Sequence, residues 1–320
     1  MAHTTISKVA FIGTGIMGSA IARHILDAGY RLAVYNRTPE KADALVAAGA
    51  VRAASIAEAV RHADVVFTMV GNPEDVEDVY LAGDGILANA RKGAWLIDLT
   101  TSSPDLARDI SEAAEVADLH AFDCPVTGGE QGAIDGTLML IAGISEREAA
   151  DVRPLLDCFS SRICWFDQPG AGQIAKLCNQ VSLASCLAGA AEAMALAEQS
   201  GLSVQAMIDM VSSGMGASRQ LESVAPKALE GDYAPGFMAA HLRKDIALAL
   251  QTAGDYGLSL PATETSLNLV HMLCEVGGTF MGTQALSLLY ADEETCAAAG
   301  LDWSLLPDDD EPHHHHHHHH

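Results

Sequence analysis

The chain has 320 residues, 49% of them hydrophobic but only 5% aromatic, with a formal net charge of −24. That acidity argues against nucleic acid or an anionic membrane surface as partner, and any anionic ligand must be drawn to a local positive site. The length allows two domains of ordinary size.

Seven cysteines with no C-x-x-C pair give no disulfide framework, and Cys158, Cys164, Cys178, Cys186 and Cys274 sit in apolar runs as reduced, buried small hydrophobes. The terminal run 313–320 is an expression tag. The other histidines show no metal-ligand spacing, so no metal is expected. The opening MAHTTISKVAFIG goes straight into a strand with no signal peptide. No stretch offers the roughly 20 uninterrupted apolar residues of a membrane span, so a soluble, cytoplasmic protein is expected.

Lys8–Ile12 (KVAFI) is a short apolar run, closed at once by Gly13-Thr14-Gly15-Ile16-Met17-Gly18 and then the helical pattern SAIARHILDAG. Strand, G-x-G-x-x-G and helix in this order predict a dinucleotide phosphate turn. Gly13 permits the bend, Gly15 admits a pyrophosphate, and Gly18 lets helix pack on strand. A second strand, Arg31–Tyr35, follows where such a unit needs it. It ends in Asn36-Arg37-Thr38, with no carboxylate to accept from a ribose 2′-hydroxyl. A guanidinium, a hydroxyl and an amide stand there instead, which favours NADP over NAD.

After a helix at 39–48, residues 64–70 (DVVFTMV) read as a buried parallel strand. Its end, Val70-Gly71-Asn72, lies at the sheet edge where such folds bind ligands. Residues 95–99 (WLIDL) form another strand, ending in Thr100-Thr101-Ser102-Ser103-Pro104. That hydroxyl run is a helix cap, and its place at a strand's end also sets it beside the nicotinamide. His120–Asp123 begins one more strand, followed by Cys124-Pro125-Val126-Thr127-Gly128-Gly129, whose hydroxyl and paired glycines offer backbone N–H groups to an anion. Residues 137–142 and 162–166 read as the closing strands of the sheet.

The stretch 170–200 lacks proline, is rich in Ala and Leu, and is apolar on almost every face, which predicts one long buried helix. Lys176, Asn179 and Gln180, at i, i+3 and i+4, project from one face of it. A buried ammonium is costly unless paired, near water or used. The alternative is a lysine near a helix start whose head reaches solvent. Beyond residue 200 helical periods dominate, at Val204–Ser212, 218–229, 239–256, 262–277 and 284–291. The expected architecture is α/β: an N-terminal Rossmann doubly wound sheet at 1–168, a long interdomain helix at 169–200 and an all-α C-terminal domain at 201–307. An acidic solvated tail and the tag occupy 308–320.

These residues in this order resemble the β-hydroxyacid dehydrogenase family, which includes 3-hydroxyisobutyrate dehydrogenase, tartronate semialdehyde reductase and the glyoxylate/succinic semialdehyde reductases. The resemblance spans Lys8 to about Ala291 on four blocks: FIGTGIMGSAIARHIL, DCPVTGG at 123–129, GAGQIAKLCNQ at 170–180 and LRKDIALAL at 242–250. It implies that Lys176 is the catalytic residue and that Thr127, Gly128 and Gly129 hold a substrate carboxylate. It also implies that Thr101 and Lys244 lie by the nicotinamide end of the cofactor. Many members have Asn four residues after the lysine. This chain has Gln180 there and Asn179 one place earlier, so both amides are candidates for orienting the substrate. Phe237 either walls the cofactor site or closes the core as a loop aromatic. Asp245 either orients Lys244 or balances charge on a helix surface.

The implied chemistry is NAD(P)-dependent hydride transfer on a small carboxylate-bearing hydroxy acid or semialdehyde. Lys176 acts as general acid or base, and aldehyde reduction is the expected direction. An imine reductase shares the layout and the Asn-Arg-Thr signature but usually carries another residue at the lysine position. Non-enzymatic oligomerisation modules of this fold have lost that lysine, so Lys176 speaks against both. Residues 210–219 and 238–245 are expected to line the pocket, with Arg219 binding a second carboxylate or standing solvated. The apolar helical half predicts a homodimer or homotetramer.

Overall fold

The short apolar runs become a parallel sheet because their side chains are buried on both faces, as helical crossovers require. In a computed structural model, which describes residues 5–307, six strands are hydrogen-bonded in the order β3-β2-β1-β4-β5-β6. They are β1 (Lys8–Ile12), β2 (Arg31–Tyr35), β3 (Val51–Arg52), β4 (Val65–Thr68), β5 (Trp95–Asp98) and β6 (His120–Asp123). Phe11 on β1 stands in register with Val34 and Phe67, and the Phe11 and Phe67 rings stack at 5.9 Å. Truncating the buried Phe67 to alanine would cost about 3–5 kcal/mol, the usual range for a core phenylalanine. The acidic tail and the tag, 308–320, lie outside the described residues.

Residues 137–142 and 162–166 do not close this sheet. β7 (Val126–Thr127), β8 (Leu138–Ala142) and β9 (Ser160–Trp165) form a separate three-stranded sheet. β7 runs antiparallel to β8, and β8 parallel to β9. The turn at Pro125 to Gly129 and the short helix Gly129–Asp135 redirect the chain, and an apolar run does not reveal which sheet it joins. The expected 39–48 helix is a tight turn, Pro39–Ala42, leading into Asp43–Ala47.

Two compact units divide the chain, and they do not follow sequence order. The first comprises Met1–Leu183 with Lys244–Thr263; the second comprises Ala184–Arg243 with Glu264–His320. The long helix, Ala171–Gln199, supplies its first residues to one unit and the rest to the other, as does the helix Ala239–Asp255. The second unit is helical, with Val204–Ser212, Pro261–Leu273 and shorter turns around a core of Met194, Met207, Ile208 and Leu221. By length and composition Ala171–Gln199 would suffice to cross a bilayer. Its Gln173 and Gln180 are nonetheless buried with internal partners, as the polar groups of a core helix are, and Lys176 is buried between them.

Candidate active site

Strand order reverses between β1 and β4, and at such a switch point the carboxyl ends of parallel strands leave a crevice for ligands. The glycine turn after β1 sits there. Gly13 has φ +95°, and a Cβ on it would come within 2.1 Å of the Met69 carbonyl at the end of β4. Gly18 is held for packing, since a Cβ would meet Gly13 O at 2.4 Å. Gly15 differs from both: a Cβ there meets nothing within 4 Å, and Gly15 precedes the helix Ile16–Asp27 without a side-chain cap. Open space over uncapped helical N–H groups is what a pyrophosphate needs. The Thr14 hydroxyl is buried without a partner at the same turn. These residues fit a dinucleotide.

Beside the turn, Asn36 Oδ1 accepts from Thr14 N at 3.2 Å and its Nδ2 donates to Thr38 O at 2.7 Å. Asn36 therefore braces the glycine turn rather than offering its amide outward. Arg37 is 80% exposed, with its guanidinium 3.8 Å from Asp75. Asn72 caps the helix Pro73–Leu81 by accepting from Asp75 N at 3.0 Å.

The loops after β4 and β5 are fastened to each other. Val70 N donates to Thr100 Oγ1 at 3.0 Å, and Lys244 Nζ donates to Thr101 O at 2.9 Å and Gly71 O at 3.3 Å. Lys244 thus stands at the loop of Thr101. Beneath the loops, Asp98 Oδ1 accepts from Thr68 Oγ1 at 2.9 Å and Thr100 N at 3.1 Å. Burial pushes the Asp98 carboxyl up to about 6 against the pull of these hydrogen bonds, with the nearby Asp123 charge adding to the rise.

The long helix is anchored at its first turn. Asp123, buried at the end of β6, accepts from Gly170 N and Gln173 N, both at 2.9 Å. Gly143 and Gly172 leave it room, since a Cβ on either would fall within 3 Å of its carboxylate. Gln173 grips the loop after β5, its Oε1 accepting from Ser102 N and its Nε2 donating to Thr100 O, each at 2.8 Å. One turn on, Lys176 is only 6% exposed. Among the described residues nothing accepts a hydrogen bond from its Nζ, so its protons are uncommitted. Burial lowers its pKa to about 8, with the Asp245 carboxylate pulling it back up and the Lys244 charge pushing it further down.

Asp245 belongs to this cluster and not to a helix surface. It is buried, accepts from Gln180 Nε2 at 2.8 Å, and its Oδ1 lies 3.3 Å from Lys244 Nζ. Gln180 Oε1 accepts from Asn179 Nδ2 at 2.9 Å, so both ends of the Gln180 amide are committed. Lys176, Asn179, Gln180, Lys244 and Asp245 form one neighbourhood, with Thr101 and Gly71 tied in through Lys244.

Thr127 ends β7, and Gly128 and Gly129 follow with φ of +131° and +65°. No hydrogen bond among the described residues joins them to Lys176. The helix they start is fastened to Ile16–Asp27 by His24 Nε2, which contacts the Ala133 and Ile134 carbonyls at 3.0 and 2.8 Å. Phe237 and Arg219 belong to the second unit, where the Phe237 ring lies 6.2 Å from that of His241 and Arg219 is exposed. Sequence reasoning missed Asp98, Asp123 and Gln173 as builders of the site. The available signal was a carboxylate closing a buried strand, in WLID and HAFD. Of the five cysteines expected buried, Cys274 is buried, Cys158, Cys164 and Cys186 are half-buried, and Cys178 is exposed on the long helix.

Two family models match the chain. Residues 8–167 match the NAD-binding domain of 6-phosphogluconate dehydrogenase, and residues 170–290 match the "NAD-binding of NADP-dependent 3-hydroxyisobutyrate dehydrogenase" domain. The uncharacterized oxidoreductase YkwC of Bacillus subtilis is 40% identical, covering 88% of this chain and 98% of its own length. The NAD-dependent L-serine dehydrogenase of Pseudomonas aeruginosa is 37% identical over 84% of this chain and 93% of its own. Among solved structures, Mycobacterium tuberculosis 3-hydroxyisobutyrate dehydrogenase with L-serine superposes with a TM-score of 0.84 at 30% identity. That match covers 90% of this chain and 100% of the other. An imine reductase from Bacillus cereus shares the fold at a TM-score of 0.58 and 21% identity, covering 90% of this chain and 100% of its own.

Proposed function

The chain belongs to the β-hydroxyacid dehydrogenase family, and on that premise we propose that Lys176 moves the proton in the interconversion of small hydroxy acids and their carbonyl forms. The protein is an oxidoreductase of hydroxy acids that uses a nicotinamide dinucleotide. Bound on the glycine turn, that cofactor supplies or accepts the hydride. Protonated Lys176 donates from Nζ to the carbonyl oxygen as it gains negative charge; neutral Lys176 takes the hydroxyl proton in the reverse direction. The carrying observation is a buried lysine with uncommitted protons and a pKa of about 8, which makes both forms accessible near neutral pH.

The substrate carboxylate is assigned to the N–H groups and hydroxyl of Thr127, Gly128 and Gly129. Of the two amides, Asn179 is the better candidate to orient the substrate, since Gln180 is spent on Asn179 and Asp245. NADP is the preferred cofactor in this reading. Its support is the missing carboxylate after β2, the exposed Arg37 guanidinium and the Thr38 hydroxyl. Aldehyde reduction is the proposed working direction. A homo-oligomer is proposed from the apolar side chains that the second unit exposes, Leu196, Met210 and Phe280 among them. Seven free cysteines suit the cytoplasm.

The test is NADPH and NADH oxidation with small carboxylic aldehydes and keto acids, with a cyclic imine as control, for wild type and Lys176→Ala. The expected result is turnover of a semialdehyde with NADPH preferred and a loss of at least about a hundredfold in the variant. Arg37→Ala should cut the NADPH preference about tenfold or more. Imine turnover with Lys176 dispensable would refute the reading.

A further inference from the structure

Gln173 lies three residues before Lys176 on the long helix and is fully buried, at 0% exposure. A buried amide is costly unless both its ends are satisfied. Here they are, by two groups that flank one residue: Ser102 N donates to Oε1, and Nε2 donates to Thr100 O. A residue on a strand running parallel to this segment would meet it in the same way, its N–H donating to the carbonyl before Thr101 and its own carbonyl accepting from the N–H after Thr101. The side-chain amide stands in for those two backbone groups. The carbonyl of Thr101 is left to Lys244, at 2.9 Å.

We propose that Gln173 is a positioning residue for the reaction, its amide clamping the loop Thr100–Ser102 to the helix that carries Lys176. The inference rests on the function proposed above, in which Lys176 moves the proton and Thr101 lies by the nicotinamide. Gln173 touches neither reactant. It sets how far the ammonium stands from the loop that seats the cofactor, a distance to which such reactions are sensitive.

Chemistry at this position is narrow. Methionine has nearly the same length but no donor and only a weak acceptor, and ionised glutamate accepts but cannot donate. Protonated glutamate has one O–H and one carbonyl oxygen, so it reproduces both bonds, and burial favours that form. Gln173→Glu therefore works only when protonated, and its activity reads the clamp directly.

The experiment compares wild type, Lys176→Ala, Gln173→Met and Gln173→Glu in the reductive direction, where Lys176 is protonated below about 8. Gln173→Met should lose about ten- to a hundredfold in kcat. Gln173→Glu should recover toward wild type as pH falls from about 8 to about 5.5, read as its ratio to wild type at each pH, so that the titration of Lys176 and of the buried Asp98 and Asp123 beside this loop cancels. Hydrogen exchange on the free protein should quicken at the Ser102 amide in Gln173→Met. An active wild type with a folded Gln173→Met within about threefold of it, or a Gln173→Glu profile parallel to wild type, overturns this inference alone. A wild type that turns over no member of the panel overturns the functional reading and this inference together.

Discussion

The side chain that matters most is also the least stable choice for its place. Lys176 is charged below about 8 in the folded protein and below its ordinary 10.5 when unfolded. The unfolded chain therefore binds more protons between those two values, and stability rises with pH across that window. Below it the cost of the buried charge is present in full. Lys176→Met should stabilise the fold by about 1–3 kcal/mol at pH 7, with the gain fading above about pH 10.5. Urea denaturation at several pH values checks this; a variant less stable than wild type at pH 7 would contradict the burial argument. Of this residue's setting, sequence conveyed the lysine and its suspect burial. Asp245 stayed ambiguous because adjacency on a helix says nothing about what lies opposite, and Gln180, which settles it, is 65 residues away.

At the scale of elements, the glycine turn and the start of the long helix do different work. Gly13 and Gly18 are needed by the fold, because a methyl on either would strike backbone within 2.4 Å. Gly15 stands in open space with an ordinary φ of −67°. Gly15→Ala should leave the melting temperature nearly unchanged while weakening dinucleotide binding about tenfold or more, by filling the phosphate cradle. Titration of cofactor fluorescence against a thermal melt separates the two effects. Asp123→Ala should act the other way, leaving two buried N–H groups unpaired and costing about 2–3 kcal/mol of stability. Strand, turn and helix were legible here because each is written in contiguous residues. The Asp123 anchor and the Gln173 clamp join positions 47 to 73 apart and left no periodic trace. β3 was missed for a simpler reason, being two exposed residues long.

Over the whole molecule, the N-terminal parallel sheet and the change to helices past residue 200 followed from sequence, whereas the membership of the closing strands and the partition did not. The segment Lys244–Thr263 returns to the first unit, and nothing in its composition separates it from the helices around it. That return is what brings Lys244 and Asp245 to Lys176. The net charge of −24 opposes the approach of an anionic cofactor and substrate. Association should therefore quicken as ionic strength rises from about 10 to about 100 mM, as repulsion is screened. Stopped-flow binding at increasing salt gives the sign, and a monotonic slowing would mean that the local positive groups govern approach.

The most direct measurement is the pH dependence of kcat/KM in both directions. Oxidation of the hydroxy acid needs neutral Lys176 and should rise with pH to a plateau above a midpoint near 8; reduction needs the ammonium and should fall through the same midpoint. Lys176→Ala should lose rate in both directions and lose the inflection with it. Profiles that run in the same sense in both directions, or an inflection near 8 that survives in Lys176→Ala, would contradict the assignment of the proton to this lysine.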